Sequence, residues 1–177
     1  MSKRDLKKYL GELNKEQLEE QIIELYEKFS PVKVYYDFVF NPKEDKLLQE
    51  SKTKISHEYF PIKKPNAKWR PKAKQRRSVA QKIIKHFILI GVDSFVIADL
   101  MLYNIEIAQT FSANNFIKQE IFYKSMSNSF EQAVSFLISN GILTEFKPRL
   151  ESIYQQTLQQ KWKNRYDFEA ILDKIDL

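Results

Sequence analysis

Apolar residues return at helical spacing along nearly the whole chain, with polar residues filling the opposite face. Ser2 and Asp5 have capping-box spacing and open a short helix carrying Leu6, Tyr9 and Leu10. Asn14 and Gln17 form a second box, followed by Leu18, Ile22, Leu25, Tyr26 and Phe29 on one stripe, so a helical hairpin is predicted. Pro31 suits a first helical turn. Pro31–Phe40 fits a helix through Val32, Tyr35, Tyr36, Val39 and Phe40, and a strand through Val34, Tyr36, Phe38 and Phe40. Helix is preferred, because no second strand-like run is available to pair with it. Asn41–Glu44 repeats a cap signature ahead of Leu47, Leu48, Ser51 and Ile55.

Pro61, Pro65 and Pro71 then break the helical pattern. Beyond them, Ser78 or a neighbour is expected to cap a helix with Val79, Ile83, His86, Phe87 and Ile90 on its buried stripe, stopped by Gly91. Asp93 caps the next helix, Ser94 to about Thr110, which is apolar nearly all round and therefore central. Phe116–Ser139 reads as one helix, or two with a break near Ser127–Ser129, ending at Gly141. Helices from Glu145 to about Lys163 and from Asp167 onward complete an all-α, single-domain multi-helix bundle. Within 1–177 it comprises N-terminal helices (1–60), a basic, Pro-containing loop (61–77) and a helical core (78–177). Phe87–Val92 and Phe136–Ile142 echo one another, but two instances do not make a repeat.

Composition narrows the function classes. Thirteen Phe and nine Tyr supply apolar area for a core, so wholesale disorder is excluded. Without cysteine there is no disulfide framework, thiolate nucleophile or zinc-finger ligand set. Three isolated glycines cannot build a phosphate-cradling loop of either common type. The basic start has no apolar stretch behind it, and the most apolar run, Phe87–Phe111, is interrupted by Gly91, Asp93, Asp99, Asn104 and Glu106. A cytoplasmic protein with no membrane partner is expected. No cofactor and no metal is implied, and the oligomeric state is open.

The net charge of +6 is local. Residues 62–77 hold eight basic side chains and no acid, while the sequences on either side are nearly neutral. Lys63, Lys64, Lys68, Arg70, Lys72, Lys74, Arg76 and Arg77 surround Trp69. Cations interleaved with an aromatic suit a phosphate backbone and a stacking platform. The same run could be a solvated loop or meet an acidic protein surface. Elsewhere, Asp99, Tyr103 and Glu106 share a face of the central helix at i, i+4 and i+7. Two carboxylates so placed could serve a metal or acid–base chemistry near His86, or be paired with basic neighbours. His57 fits a cation at a helix C-terminus. No catalytic residue is assigned, and the balance favours a non-catalytic interaction protein.

Leu6–Leu10 (LKKYL) followed by Leu18, Ile22 and Leu25 resembles the two-helix modules of the SAP and Rho-N-terminal kind, some of which bind nucleic acid. More broadly, Ser2–Leu10 (SKRDLKKYL), Leu25–Pro42 (LYEKFSPVKVYYDFVFNP), Arg76–Lys82 (RRSVAQK) and Ala98–Ala108 (ADLMLYNIEIA) resemble a bacterial family of unknown function over essentially the whole chain. That resemblance implies a freestanding bacterial protein of about this length and transfers no catalytic residue.

Overall fold

The first two helices begin where side chains can satisfy their free N–H groups. Ser2 accepts from Asp5 N and returns its own N–H to the Asp5 carboxylate (3.2 and 2.9 Å); Asn14 and Gln17 do the same at 2.8 and 3.0 Å. These helices are α1 (Lys3–Gly11) and α2 (Lys15–Lys28), followed by α3 (Ser30–Phe40), in a computed structural model that describes residues 2–63, 65–69 and 71–175. The helix reading of Pro31–Phe40 is correct. Phe29 takes an extended conformation (φ −120°, ψ 105°) that closes α2 and starts α3, with Pro31 in its first turn. Tyr36 stacks on Phe40 one turn ahead (6.0 Å between ring centroids) and meets Tyr26 of α2 edge-on, while the Tyr26 hydroxyl donates to Asp37 (3.0 Å). Asn41 terminates α3.

The chain divides into two units, residues 1–43 and 44–177. The boundary falls ahead of α4 (Glu44–Tyr59), so that helix belongs with the C-terminal elements rather than with the N-terminal three. The second unit continues with α5 (Arg77–Ile90), α6 (Ser94–Asn114), α7 (Glu120–Ser139), α8 (Leu143–Gln159), α9 (Arg165–Leu172) and a short 3₁₀ turn. Among the described residues there are nine α-helices and no strand. α6 is the axis, packing against α4, α5, α7 and α8. Leu100, Leu102 and Ile105 on it are fully buried, as an all-round apolar helix requires. A second layer forms where Phe130 of α7 meets Phe168 of α9 (4.9 Å) and Trp162 packs edge-on to Phe122, Tyr123 and Phe168.

Three helix ends close alike. Gly91 and Gly141 take left-handed φ values (77° and 69°), and the following N–H reaches back to Phe87 O (3.1 Å) and Leu137 O (3.0 Å). Lys161, also left-handed (φ 52°), precedes the same bond from Trp162 to Thr157 O (3.1 Å). The echo between Phe87–Val92 and Phe136–Ile142 is therefore a shared helix-stop motif. Several details depart from the sequence reading: α6 runs on to Asn114 rather than Thr110, and α8 spans Leu143–Gln159 rather than Glu145–Lys163. α7 begins at Glu120, not Phe116, and runs unbroken through 127–129, where Ser127 and Ser129 return their hydroxyls to Lys124 O and Ser125 O. α5 starts with no side-chain cap, Ser78 included, and it buries Ala80, Ile84, Phe87 and Ile90. Its buried stripe is rotated about one position from the Val79–Ile83–His86 face, and His86 is exposed.

Candidate nucleic-acid interface

The basic segment leaves α4 at Pro61 and re-enters helix at Arg77. Its second end is fastened to one residue. The Glu58 carbonyl accepts from Lys74 N (2.9 Å) and Gln75 N (3.0 Å), with Gln75 in the left-handed region (φ 53°). The Glu58 carboxylate accepts from Arg76 Nε (2.9 Å), Nη2 (2.8 Å) and backbone N (3.3 Å). A fork of this kind is the strong form of a charge-assisted hydrogen bond. The Arg76 hydrogen bonds hold the Glu58 carboxyl below the usual carboxylate range, outweighing its burial. Arg77 is occupied as well, donating from Nε to Ser129 Oγ and from Nη2 to Gln132 Oε1, both at 3.0 Å, which ties α5 to α7.

Arg76 and Arg77 are thus structural cations. Lys63, Lys68, Lys72 and Lys74 are exposed, and none takes part in an ion pair among the described residues. Trp69 is 78 % exposed. Lys64 and Arg70 lie outside the described residues. Beside this loop is a hollow of about 520 Å³, lined by Tyr59 and Phe60 at the end of α4, by Pro61 and Pro71–Ala73 of the loop, and by Phe111 of α6. Sequence reasoning missed Glu58 and these aromatics. An acid in the last turn before a run of eight cations was the available signal for Glu58.

The polar set on the central helix is brought together, but with cations. Asp99 accepts from Lys52 Nζ and Arg149 Nη1, both at 2.6 Å, and Glu106 accepts from Arg149 Nε (2.6 Å) and Nη2 (2.8 Å). Lys52 also stands 5.2 Å from the Tyr103 ring centre. Burial pushes the Asp99 carboxyl up, but hydrogen bonds and charge from Lys52 and Arg149 outweigh it and hold it below its ordinary value. Two acids and two bases cross-link α4, α6 and α8. His86, exposed on α5, is not among the groups that contact these carboxylates. Among the described residues, no cluster of three or more His, Asp or Glu side chains is arranged to hold a metal ion. None of the described helices is long and apolar enough to cross a membrane. His57 is exposed in the last turn of α4.

An all-α fold presenting a clasped basic loop, with its central carboxylates committed to ion pairs, defines the structural class of this protein. The chain belongs to the family of unknown function DUF6155, whose pattern matches residues 1–176. No curated protein and no solved structure matches the chain.

Proposed function

We propose that this is a non-catalytic, cytoplasmic interaction protein whose loop 62–77 contacts nucleic acid. The observation that carries the reading is the concentration of exposed lysines, forming no ion pair among the described residues, around an exposed Trp69 on a loop whose second end is fixed. Lys63, Lys68, Lys72 and Lys74, with Lys64 and Arg70, are the phosphate contacts, and Trp69 is the stacking surface. Arg76 and Arg77 hold the loop's base and are left out of the contact set. Fluorescence anisotropy of labelled DNA and RNA across a salt series tests this. The expected log–log salt slope is several units, approaching about 4 on a single strand if all six cations engage. A variant with those six residues changed to Gln loses most of that slope while keeping its melting temperature. Absence of binding at low salt, or equal binding by the variant, overturns the reading.

A second reading, self-association, is favoured by one observation in the first unit. Leu6 and Tyr9 of α1 and Ile22, Ile23 and Leu25 of α2 are exposed. α1 carries four cations (Lys3, Arg4, Lys7, Lys8) and one acid (Asp5), whereas α2 carries Glu16, Glu19, Glu20, Glu24 and Glu27. A two-fold pairing of α1 with the α2 of a second copy would bury those apolar residues and match the charges. Light scattering after size exclusion, over a concentration series at low and high salt, tests it. A mass that stays monomeric throughout rejects it.

A further inference from the structure

The hollow beside the basic loop has features that the loop's charge does not explain. Its walls are aromatic. Phe60 and Phe111 meet edge to face (5.7 Å between centroids, 73°), and Tyr59 lies 5.9 Å from Phe111. Phe60 is exposed and Phe111 half-buried, and both line the hollow. The rim is polar and largely uncommitted. Asn115 spends its amide nitrogen on Phe111 O (2.8 Å), leaving its oxygen as an acceptor. The Gln75 side chain makes no hydrogen bond among the described residues, and the Lys72 ammonium makes no ion pair there.

Tyr59 supplies the independent observation. It lines the same hollow and is only 3 % exposed, yet its hydroxyl is buried with no hydrogen-bond partner among the described residues. Buried hydroxyls almost always have partners, so one without asks for an explanation. Burial also pushes its pKa up, so the group stays a protonated donor.

We propose that this hollow receives one unpaired nucleobase of a single strand, its face on the Phe60 ring with Phe111 meeting it edge-on, its polar edge on Asn115, Gln75 and the Tyr59 hydroxyl, and Lys72 on the adjoining phosphate. This rests on the loop being a nucleic-acid contact and specifies which form is bound. The volume lies within the ordinary ligand-pocket range of about 300–1,000 Å³. Aromatic walls take the π-face of a base, and side-chain amides with a hydroxyl match its donor and acceptor edge. A base inside a duplex has both faces stacked and its edge paired, so it cannot enter without being unstacked. The hollow therefore selects single strands, while the lysines alone accept either form.

Labelled oligothymidine, oligoadenosine and a duplex of equal length are titrated at matched salt against wild type, Tyr59→Phe, Phe60→Ala and the six-residue Gln variant. Wild type binds a single strand about ten-fold or more tighter than the duplex. Tyr59→Phe lowers single-strand affinity about three- to ten-fold, leaves duplex affinity unchanged, and leaves the melting temperature unchanged or raised, since the lost hydroxyl had no partner. Phe60→Ala abolishes the preference. Equal, lysine-dependent binding of single strand and duplex overturns the nucleobase site and leaves the loop contact standing. Unaltered single-strand binding by Tyr59→Phe and Phe60→Ala also overturns it. Binding of neither form at low salt brings down both.

Discussion

The two units are both helical, but different forces hold them. In α1–α3 no described residue is buried. What orders these helices is local: two capping boxes, the Lys15–Glu19 and Lys28–Glu24 pairs one turn apart, and the Tyr26–Asp37 bond between α2 and α3. In residues 44–175 the order is set by packing, with Phe87, Leu100, Phe130 and Phe168 wholly excluded from water. Even the polar links there are long-range. Gln109 donates to Ile153 O and Thr157 Oγ1 (2.7 and 2.9 Å) inside the core, joining α6 to α8. Helices of 9 to 14 residues are marginal on propensity alone. Caps can start a helix that burial does little to retain, whereas a buried stripe holds one with no side-chain cap at its start, as at α5.

Truncation of the core sharpens this contrast most. Phe130→Ala is expected to lower stability by about 3–5 kcal/mol, because it leaves a cavity against Phe168. Ile22→Ala, at a position already exposed, is expected to cost less than about 1 kcal/mol. Urea denaturation followed by circular dichroism and by the fluorescence of buried Trp162 measures both. Similar losses from the two substitutions would mean that the first unit has a core of its own.

Acid tests the charged links of the second unit next. Asp99 and Glu58 have folded pKa values below their ordinary ones. Their contribution is complete above about pH 5, past the unfolded carboxyl values, and is lost as pH falls through the lowered folded values. Thermal melts of the second unit are expected to drop in that window, and Asp99→Asn with Glu58→Gln flattens the dependence. A double variant as acid-sensitive as wild type would place the titration elsewhere.

The smallest effect falls on the caps. Asn14→Ala is expected to remove about 1 kcal/mol of local helix stability, since it leaves Gln17 N without its side-chain acceptor. Hydrogen exchange should quicken in the first turn of α2, while the melting of the second unit stays fixed. Exchange that is unchanged in α2 would show tertiary packing, not the box, holding that turn.

The elements that sequence reveals and those it hides divide along the same line. Ser2–Asp5, Asn14–Gln17, Pro31, Gly91, Asp93 and Gly141 act within a few residues of themselves, and each helix start or stop they mark is legible directly. The buried face of α5 is not legible, because Ile83, Ile84, Ile88, Leu89 and Ile90 surround the helix and only the neighbouring helices choose among them. The site was half legible for the same reason. A run of eight cations is plain to see, but which of them are spent depends on Glu58, Ser129 and Gln132, brought in from 18 to 55 positions away. Arg149 answers Asp99 across 50 positions and turns a possible chemical site into a cross-link.

The central position of α6 also governs how the chain behaves while it is being made. α4 and α5 precede α6 in synthesis, but α7 and α8, which cover its remaining apolar faces, follow it. About 45 residues separate the end of α6 from the end of α8. At about 5–20 residues per second, the most hydrophobic helix of the nascent protein waits several seconds on the ribosome for its last neighbour. During that interval a chaperone, or another unfinished chain, can reach it first.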